Sequence, residues 1–501
     1  MNIPYCLRRA ERLFGDRPAV LLSDGSLTYR EFAANAYRGA ARLAELGIAT
    51  GEPFAILMAN SPTYLELYYA AGIAGVVPVP LNLRWHIDDV VFVLDDSESQ
   101  ALIADERFVA LALAIRERCP GLKLIFAGAG PCPESFEDYR TPCAAREFPE
   151  PAADDLAALF YTSGTTGGPK GVMLTHRNFC ANALTTLLED IAGDRVILIA
   201  LPLFHIAGVS IIYAQAMAGG RLCFLPGFDP AGVLEAVQKY RVEMLLLVPS
   251  MWGMLLRHPD FDRYDLSSVV RAGWGASPMP MVMQEEVARR LPVRIFHHVY
   301  GMTETSCFVA INTSGGPSES AGREVYGVEL RIFDDDEREL PAGQSGEIVV
   351  RGDNVMPGYW KRPEVNREVL RNGWLHTGDI GKLDAEGKLY ILDRKKDMIK
   401  TGSENVYSPE VESMLMAHPA VQEAAVIGVP HEKWGETIRA VVTLRPGAEL
   451  TESELIAWIR ERMTHFKCPT SVVFMAELPK TASGKVQKPK LRSELAKSAT
   501  G

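Results

Sequence analysis

The segment Tyr161–Gly171 reads YTSGTTGGPKG and packs four glycines, three threonines, one serine and one lysine into eleven residues. It follows directly on the apolar run Leu156–Tyr161. Such a loop can wrap a polyphosphate. Glycine lets the backbone turn through positive φ. Successive N–H groups then form an anion nest, to which hydroxyls and a lysine add donors and charge. The spacing is not that of a Walker A loop, G-x-x-x-x-G-K-[ST]. Counted from Gly164, the second glycine falls on Pro169, and Lys170 is followed by Gly171. Taken alone, a glycine-rich turn also serves as plain strand-to-loop punctuation.

Four further segments carry chemistry-bearing residues. Tyr300-Gly301-Met302-Thr303-Glu304-Thr305 offers an aromatic face, a hydroxyl and a carboxylate on one turn. Trp374-Leu375-His376-Thr377-Gly378-Asp379 ends in an acid. Asp393-Arg394 opens a charged stretch, and Pro479–Lys485 is a polar loop near the C-terminus. Each has a bland reading when taken singly. Tyr300 reads as a buried aromatic, Asp379 as a turn former, and Glu304 and Lys485 as solvated surface charges.

These segments need elements to hold them. A chain of 501 residues exceeds one core and implies two or more domains. Hydrophobic content of 47% with 23% charged residues is that of a globular protein. A net charge of −11 gives no reason to expect nucleic-acid binding. The opening MNIPYCLRRAERLFG lacks the continuous apolar core of a secretory leader. The longest apolar run, Met244–Leu256, is broken by Pro249, Ser250 and Gly253 and is too short to span a bilayer. The eight cysteines (6, 119, 132, 143, 180, 223, 307 and 468) lack C-x-x-C spacing, which reads as reduced, mostly buried thiols in a cytoplasmic protein.

Phe54–Met58, Val76–Val79, Val196–Leu203, Arg221–Leu225 and Met244–Val248 read as buried strands, and Tyr64–Ala74 and Pro230–Tyr240 as helices. That βαβ rhythm predicts an α/β architecture with largely parallel sheets. Short strands around Gly346–Arg351 suggest a small β-rich subdomain. After the charged joint Arg394–Asp397 the pattern turns compact α+β. There Ser408-Pro409-Glu410 reads as a helix start with Ser408 as N-cap. Val421–Val429 and Ile438–Leu444 read as strands, and Thr451-x-x-Glu454 as a capping box. The expected division is residues 1–394, two α/β subdomains plus the β-rich one, and 395–501, a small α+β domain.

In this order the five segments resemble the adenylate-forming superfamily, acyl-CoA synthetase branch, over nearly the whole chain. The resemblance implies that a carboxylic acid is activated with ATP as an acyl-adenylate and then passed to the thiol of coenzyme A. It implies Mg²⁺ as cofactor. The phosphate cradle would be Thr162, Ser163, Gly164, Thr165, Thr166, Gly167 and Lys170. Tyr300 and Gly301 would contact adenine, and Thr303 would contact phosphate. Glu304 would hold Mg²⁺, a hard cation suited to a carboxylate and phosphate oxygens. Asp379 and Arg394 would bind ribose, and Lys485 would reach the carboxylate and α-phosphate. Gly275, Ala276 and Ser277 would line the nucleotide site, and Gly402 the coenzyme tunnel. Lys396 matches the family's hinge, about which the small mobile C-terminal domain would rotate between half-reactions.

The acyl side is less specified. Pro202-Leu203-Phe204-His205-Ile206-Ala207-Gly208 resembles the acyl-CoA branch, whose histidine lies near the acyl carboxylate. His205, Gly208, Trp274 and Met302 would shape the pocket. Trp274 would narrow it if turned inward and would be core if turned outward. The resemblance leaves fatty and aryl acids both open, and leaves a carrier-protein thiol as an alternative acceptor. A homodimer is also left open.

Overall fold

The computed structural model describes residues 1–162, 168–402, 404–480 and 486–498. Two compact units emerge, Met1–Leu330 with Val350–Leu375, and Arg331–Val349 with His376–Gly501.

The first unit is α/β. Pro18–Leu22, Arg221–Phe224, Val196–Ile199, Met244–Leu246, Arg271–Trp274 and Ile295–Tyr300 lie side by side and parallel. Antiparallel strands flank both sides, Gly25–Thr28 on one and Ala310–Ser314 on the other. Val196–Ile199 is buried at every position, as expected for a parallel strand covered on both faces. A second, all-parallel sheet runs Val77–Pro80, Pro53–Leu57, Ala101–Ala104, Lys123–Phe126 and Glu137–Asp138. The helix Pro62–Ala74 begins where Ser61 Oγ accepts the Tyr64 N–H at 3.1 Å and proline occupies the first turn. Pro230–Tyr240 forms a helix over the span read from the sequence.

Two strands are shorter than their apolar runs. Val196–Leu203 stops at Ile199 because Asn60 takes the backbone that follows. Its amide donates to the Leu201 carbonyl at 2.9 Å and its oxygen accepts the Leu203 N–H at 2.8 Å. Met244–Val248 stops at Leu246, and the rest of that run forms the helix Pro249–Leu256. Proline suits a first helical turn, where its missing N–H costs nothing.

The second unit has its own core. Glu404–Val406, Ile399–Thr401, Gly435–Leu444 and Val421–His431 form a sheet, with Ser471–Phe474 parallel to Gly435–Leu444. The helices Ser408–Met416 and Glu452–Arg460 contribute Val411, Leu415, Leu455 and Ile459 to its apolar core. The Thr451 capping box forms, with the Thr451 N–H donating to Glu454 at 2.8 Å. Ser408 is not the N-cap; Tyr407 is. Ser408 instead donates its hydroxyl and its N–H to the buried Asp393 carboxylate, each at 2.7 Å.

The eight cysteines are free thiols, and five of them are buried. No described helix is long and apolar enough to cross a membrane.

Three buried histidines in the first unit give stability a pH dependence. Burial pushes His176, His297 and His298 down to about 4, with Arg271 adding to the effect on His297. Unfolded, each returns to near 6.5. Between about pH 6.5 and pH 4 the unfolded chain therefore binds more protons, so stability falls as pH falls through that window. Each histidine contributes on the order of 1 kcal/mol per pH unit there. Urea midpoints should be lower at pH 5 than at pH 7, and His297→Asn should flatten the difference. Equal midpoints would refute the assignment.

Candidate active site

Three motif loops of the first unit leave the carboxyl ends of parallel strands in one sheet. Val196–Ile199 leads to His205, Arg271–Trp274 to Gly275–Ser277, and Ile295–Tyr300 to Gly301–Glu304. Ligands of open α/β sheets bind at that edge.

Each loop is fixed by its own contacts. Tyr68 Oη donates to the Leu203 carbonyl at 2.6 Å, just before His205. His205 then opens the short helix Ile206–Val209, its carbonyl accepting the Gly208 N–H at 2.9 Å, and its ring packs against Phe204 with centroids 4.8 Å apart. Gly275 is buried, while Ala276 and Ser277 are exposed and Ala276 holds φ at 69°. After buried Tyr300 the chain turns sharply. An alanine Cβ at Gly301 would lie 1.5 Å from the Cys307 carbonyl oxygen, so no side chain fits. Met302 precedes the turn Thr303–Thr305, and its N–H donates to Thr305 Oγ1 at 3.1 Å. Ser306 anchors the turn by donating to the Asn354 carbonyl at 2.9 Å.

Trp274 takes the core orientation. It is 1% exposed within the cluster that holds Trp252, Phe296 and Val287, and it stacks on His298 with centroids 5.3 Å apart. Trp274→Ala should lower unfolding free energy by about 3–5 kcal/mol in urea titration. A loss below about 1 kcal/mol would mean the indole is not carrying core packing.

The glycine-rich segment joins the antiparallel strands Leu156–Thr162 and Lys170–Thr175, and Thr162 pairs with Lys170. The Lys170 ammonium lies 5.5 Å from the Tyr359 ring centroid. Tyr359 Oη donates to Glu304 Oε1 at 2.8 Å. One tyrosine thus joins the hairpin lysine to the carboxylate of the Thr303–Thr305 turn. Ser163, Gly164, Thr165, Thr166 and Gly167, between the strands, lie outside the described residues, as do Ser403 and Lys485.

In the second unit Asp379 and Arg394 are register partners on antiparallel strands. Arg394 Nε meets Asp379 Oδ1 at 2.7 Å, with Asp379 buried and Arg394 exposed. Lys396 is exposed in the turn that follows, where the Asp397 N–H donates to the Arg394 carbonyl at 2.9 Å. Gly402 sits in the turn between Ile399–Thr401 and Glu404–Val406 with φ at 65°, which favours glycine. Its N–H donates to the Trp434 carbonyl at 2.8 Å.

Residues 7–360 match the family model of the AMP-binding enzymes, and residues 410–485 match the model of the AMP-binding enzyme C-terminal domain. The chain belongs to the AMP-binding enzyme family. A feruloyl-CoA synthase from Amycolatopsis is 38% identical to this AMP-binding enzyme, over 97% of each chain. The crystal structure of ATP-bound MatB from Rhodopseudomonas palustris superposes with a TM-score of 0.89 at 32% identity, covering 99% of both chains. An anthranilate CoA ligase, AuaEII, in complex with anthranoyl-AMP superposes with a TM-score of 0.91 at 28% identity, covering 100% of this chain and 98% of that one. The large N-terminal domain and small C-terminal domain of the adenylate-forming superfamily are thus established for this chain.

The first unit's residues suit Mg²⁺ bound together with a nucleotide. The described residues hold no cluster of three or more His, Cys, Asp or Glu side chains able to bind a metal alone. Glu304 is half-buried, and its one described side-chain partner is a neutral phenol, so its charge is not cancelled. Mg²⁺ commonly binds through one carboxylate plus substrate phosphates.

Sequence reasoning missed Tyr359, Asp96 and Trp434. Asp96 accepts from Tyr161 Oη, on the strand Leu156–Thr162, at 2.7 Å and from Arg362 at 2.6 Å. Trp434 is 46% exposed beside Gly402. An aromatic between Lys433 and Gly435 on a polar turn was the available signal for Trp434.

Proposed function

We propose that this enzyme is an ATP-dependent, AMP-forming ligase that joins an aromatic carboxylic acid to coenzyme A. The observation that carries this reading is the 38% identity to a feruloyl-CoA synthase over 97% of each chain. In the first step a carboxylate oxygen bonds to the α-phosphorus of ATP and the bond to the β-phosphate oxygen breaks, releasing pyrophosphate. In the second, the thiol sulfur of coenzyme A bonds to the acyl carbon and AMP leaves with the former carboxylate oxygen. A free carboxylate is a poor acyl donor because oxide would have to depart, whereas AMP leaves readily.

The protein's share is placement and charge. Lys170 and the segment Thr162–Gly167 hold the β- and γ-phosphates, and Thr303 adds a hydroxyl. Tyr300, with Gly301 and the loop Gly275–Ser277, takes the adenine, while Asp379 accepts the ribose hydroxyls and Arg394 donates to the ribose. Glu304 would hold Mg²⁺, whose charge would offset that of the phosphates. Lys485 neutralises charge on the carboxylate and α-phosphate as adenylation proceeds. His205 faces the acyl carboxylate, with Gly208 and Met302 nearby, and Phe204 and Ile206 suit an apolar acyl group. Gly402 leaves room for the pantetheine arm. Lys396 serves as hinge, with residues 395–501 as the C-terminal catalytic domain. ATP, coenzyme A and free thiols together favour the cytoplasm.

The test is the kcat/KM for acyl-CoA formation across hydroxycinnamates, benzoates, anthranilate, fatty acids and dicarboxylates. The expected best substrate is a hydroxycinnamate or benzoate. A fatty acid as the best substrate would overturn the aryl assignment. Acid-dependent pyrophosphate release that needs a holo-carrier protein in place of coenzyme A would overturn the acceptor.

A further inference from the structure

Tyr359 is held rigidly before its side chain does anything. Its segment lies antiparallel along Lys170–Thr175: the Trp360 N–H donates to the Gly171 carbonyl at 2.7 Å, and the Met173 N–H to the Gly358 carbonyl at 3.1 Å. The Tyr359 N–H donates to Asn366 Oδ1 at 2.7 Å, and Asn366 Nδ2 returns a bond to the Tyr359 carbonyl at 3.0 Å. Trp360 Nε1 donates to the Asp96 carbonyl at 3.0 Å. The tyrosine is thus tied to the glycine-rich hairpin by backbone, and its ring and hydroxyl project from that base.

Among the described residues, the side chain meets a cation and an anion. The ring receives the Lys170 ammonium at 5.5 Å, within cation–π range. The hydroxyl donates to Glu304 Oε1 at 2.8 Å. The Glu304 backbone is held as well, since its carbonyl accepts the Met356 N–H at 2.9 Å. A phenol on one carboxylate oxygen selects a rotamer but leaves the charge in place. An arginine there would cancel the charge a cation needs. Among the described residues no donor is placed on Glu304 Oε2.

We propose that Tyr359 is a positioning residue that couples the phosphate-binding hairpin to the magnesium-holding carboxylate, fixing Glu304 through its hydroxyl and Lys170 through its ring. The inference rests on Glu304 being that carboxylate. With the hydroxyl on Oε1, Oε2 would be the oxygen left for a cation, and the orientation of Glu304 is set by the tyrosine. The ring keeps the ammonium of Lys170 beside the same nucleotide without pairing it to the acid.

Calorimetric titration of ATP into the full-length protein, without any carboxylic acid and over a series of Mg²⁺ concentrations, separates this role from packing. Tyr359→Phe should weaken ATP binding about tenfold at limiting Mg²⁺, the worth of one hydrogen bond to a charged group. The difference should vanish in EDTA, where the carboxylate has no cation to present. The double variant Tyr359→Phe/Glu304→Gln should bind no more weakly than Glu304→Gln alone. Tyr359→Leu, which removes the ring, should weaken binding in EDTA as well. Unchanged binding by Tyr359→Phe at every Mg²⁺ concentration would overturn the proposal, and so would equal weakening with and without EDTA. Because no acid is present, failure of the ligase reading leaves this outcome intact.

Discussion

Lys485→Ala is expected to reduce acid-dependent pyrophosphate release by about 10²- to 10³-fold, the cost typical of removing one group that stabilises developing charge. Thioester formation from supplied acyl-adenylate and coenzyme A should keep most of its rate. The two half-reactions place charge differently. Adenylation brings a carboxylate anion against an anionic α-phosphate, and a lysine there relieves repulsion and meets the charge that shifts onto phosphate oxygens. Thiol attack on the adenylate begins from a neutral acyl carbon, so the same ammonium has less to do. Single-turnover assays of each half-reaction measure the split. Equal loss in both would remove Lys485 from the first-step role.

Gly301→Ala should reduce adenylation by about 10²-fold, the cost of an ångström-scale misplacement of catalytic groups. The added Cβ would sit 1.5 Å from the Cys307 carbonyl oxygen, far inside any contact distance, so the backbone itself has to move. The residues that follow are Thr303 and Glu304, and the Val309 N–H donates back to the Tyr300 carbonyl at 2.8 Å, so the strain cannot spread far. Overpacking of this kind also lowers stability by about 1–3 kcal/mol. Gly316→Ala is the control, since nothing lies within 4 Å of a Cβ there. Pyrophosphate exchange and urea titration on both variants give the comparison. Full activity in Gly301→Ala would mean that the turn tolerates a shift and does not set the geometry of Glu304.

What the sequence reveals here is local, and what it hides is not. The helix Pro230–Tyr240 and the Thr451 capping box were legible because their start signals lie within a few residues of the elements they begin. The strand run from Val196 was overextended because its end is set by Asn60, far earlier in the chain. Ser408 reads as an N-cap by type and position, yet a buried carboxylate fifteen residues away claims its hydroxyl. The residues of the motif loops are legible in the sequence. That three of the loops leave the same end of the parallel strands in one sheet follows from strand order, which residue spacing does not encode. Tyr359 shows the same limit most clearly. Its ring meets Lys170 and its hydroxyl meets Glu304 at a separation of 55 residues, and its own neighbours Gly358 and Trp360 suggest only a turn.

Passage of the acid through an acyl-adenylate is tested by isotope transfer. Ferulate carrying oxygen-18 in its carboxylate is incubated with enzyme, ATP, Mg²⁺ and coenzyme A, and the products are resolved by mass spectrometry. Attack of the carboxylate on the α-phosphorus predicts that one labelled oxygen leaves with AMP and the other stays in the thioester. Unlabelled AMP, or label recovered in inorganic phosphate alongside ADP, would contradict it.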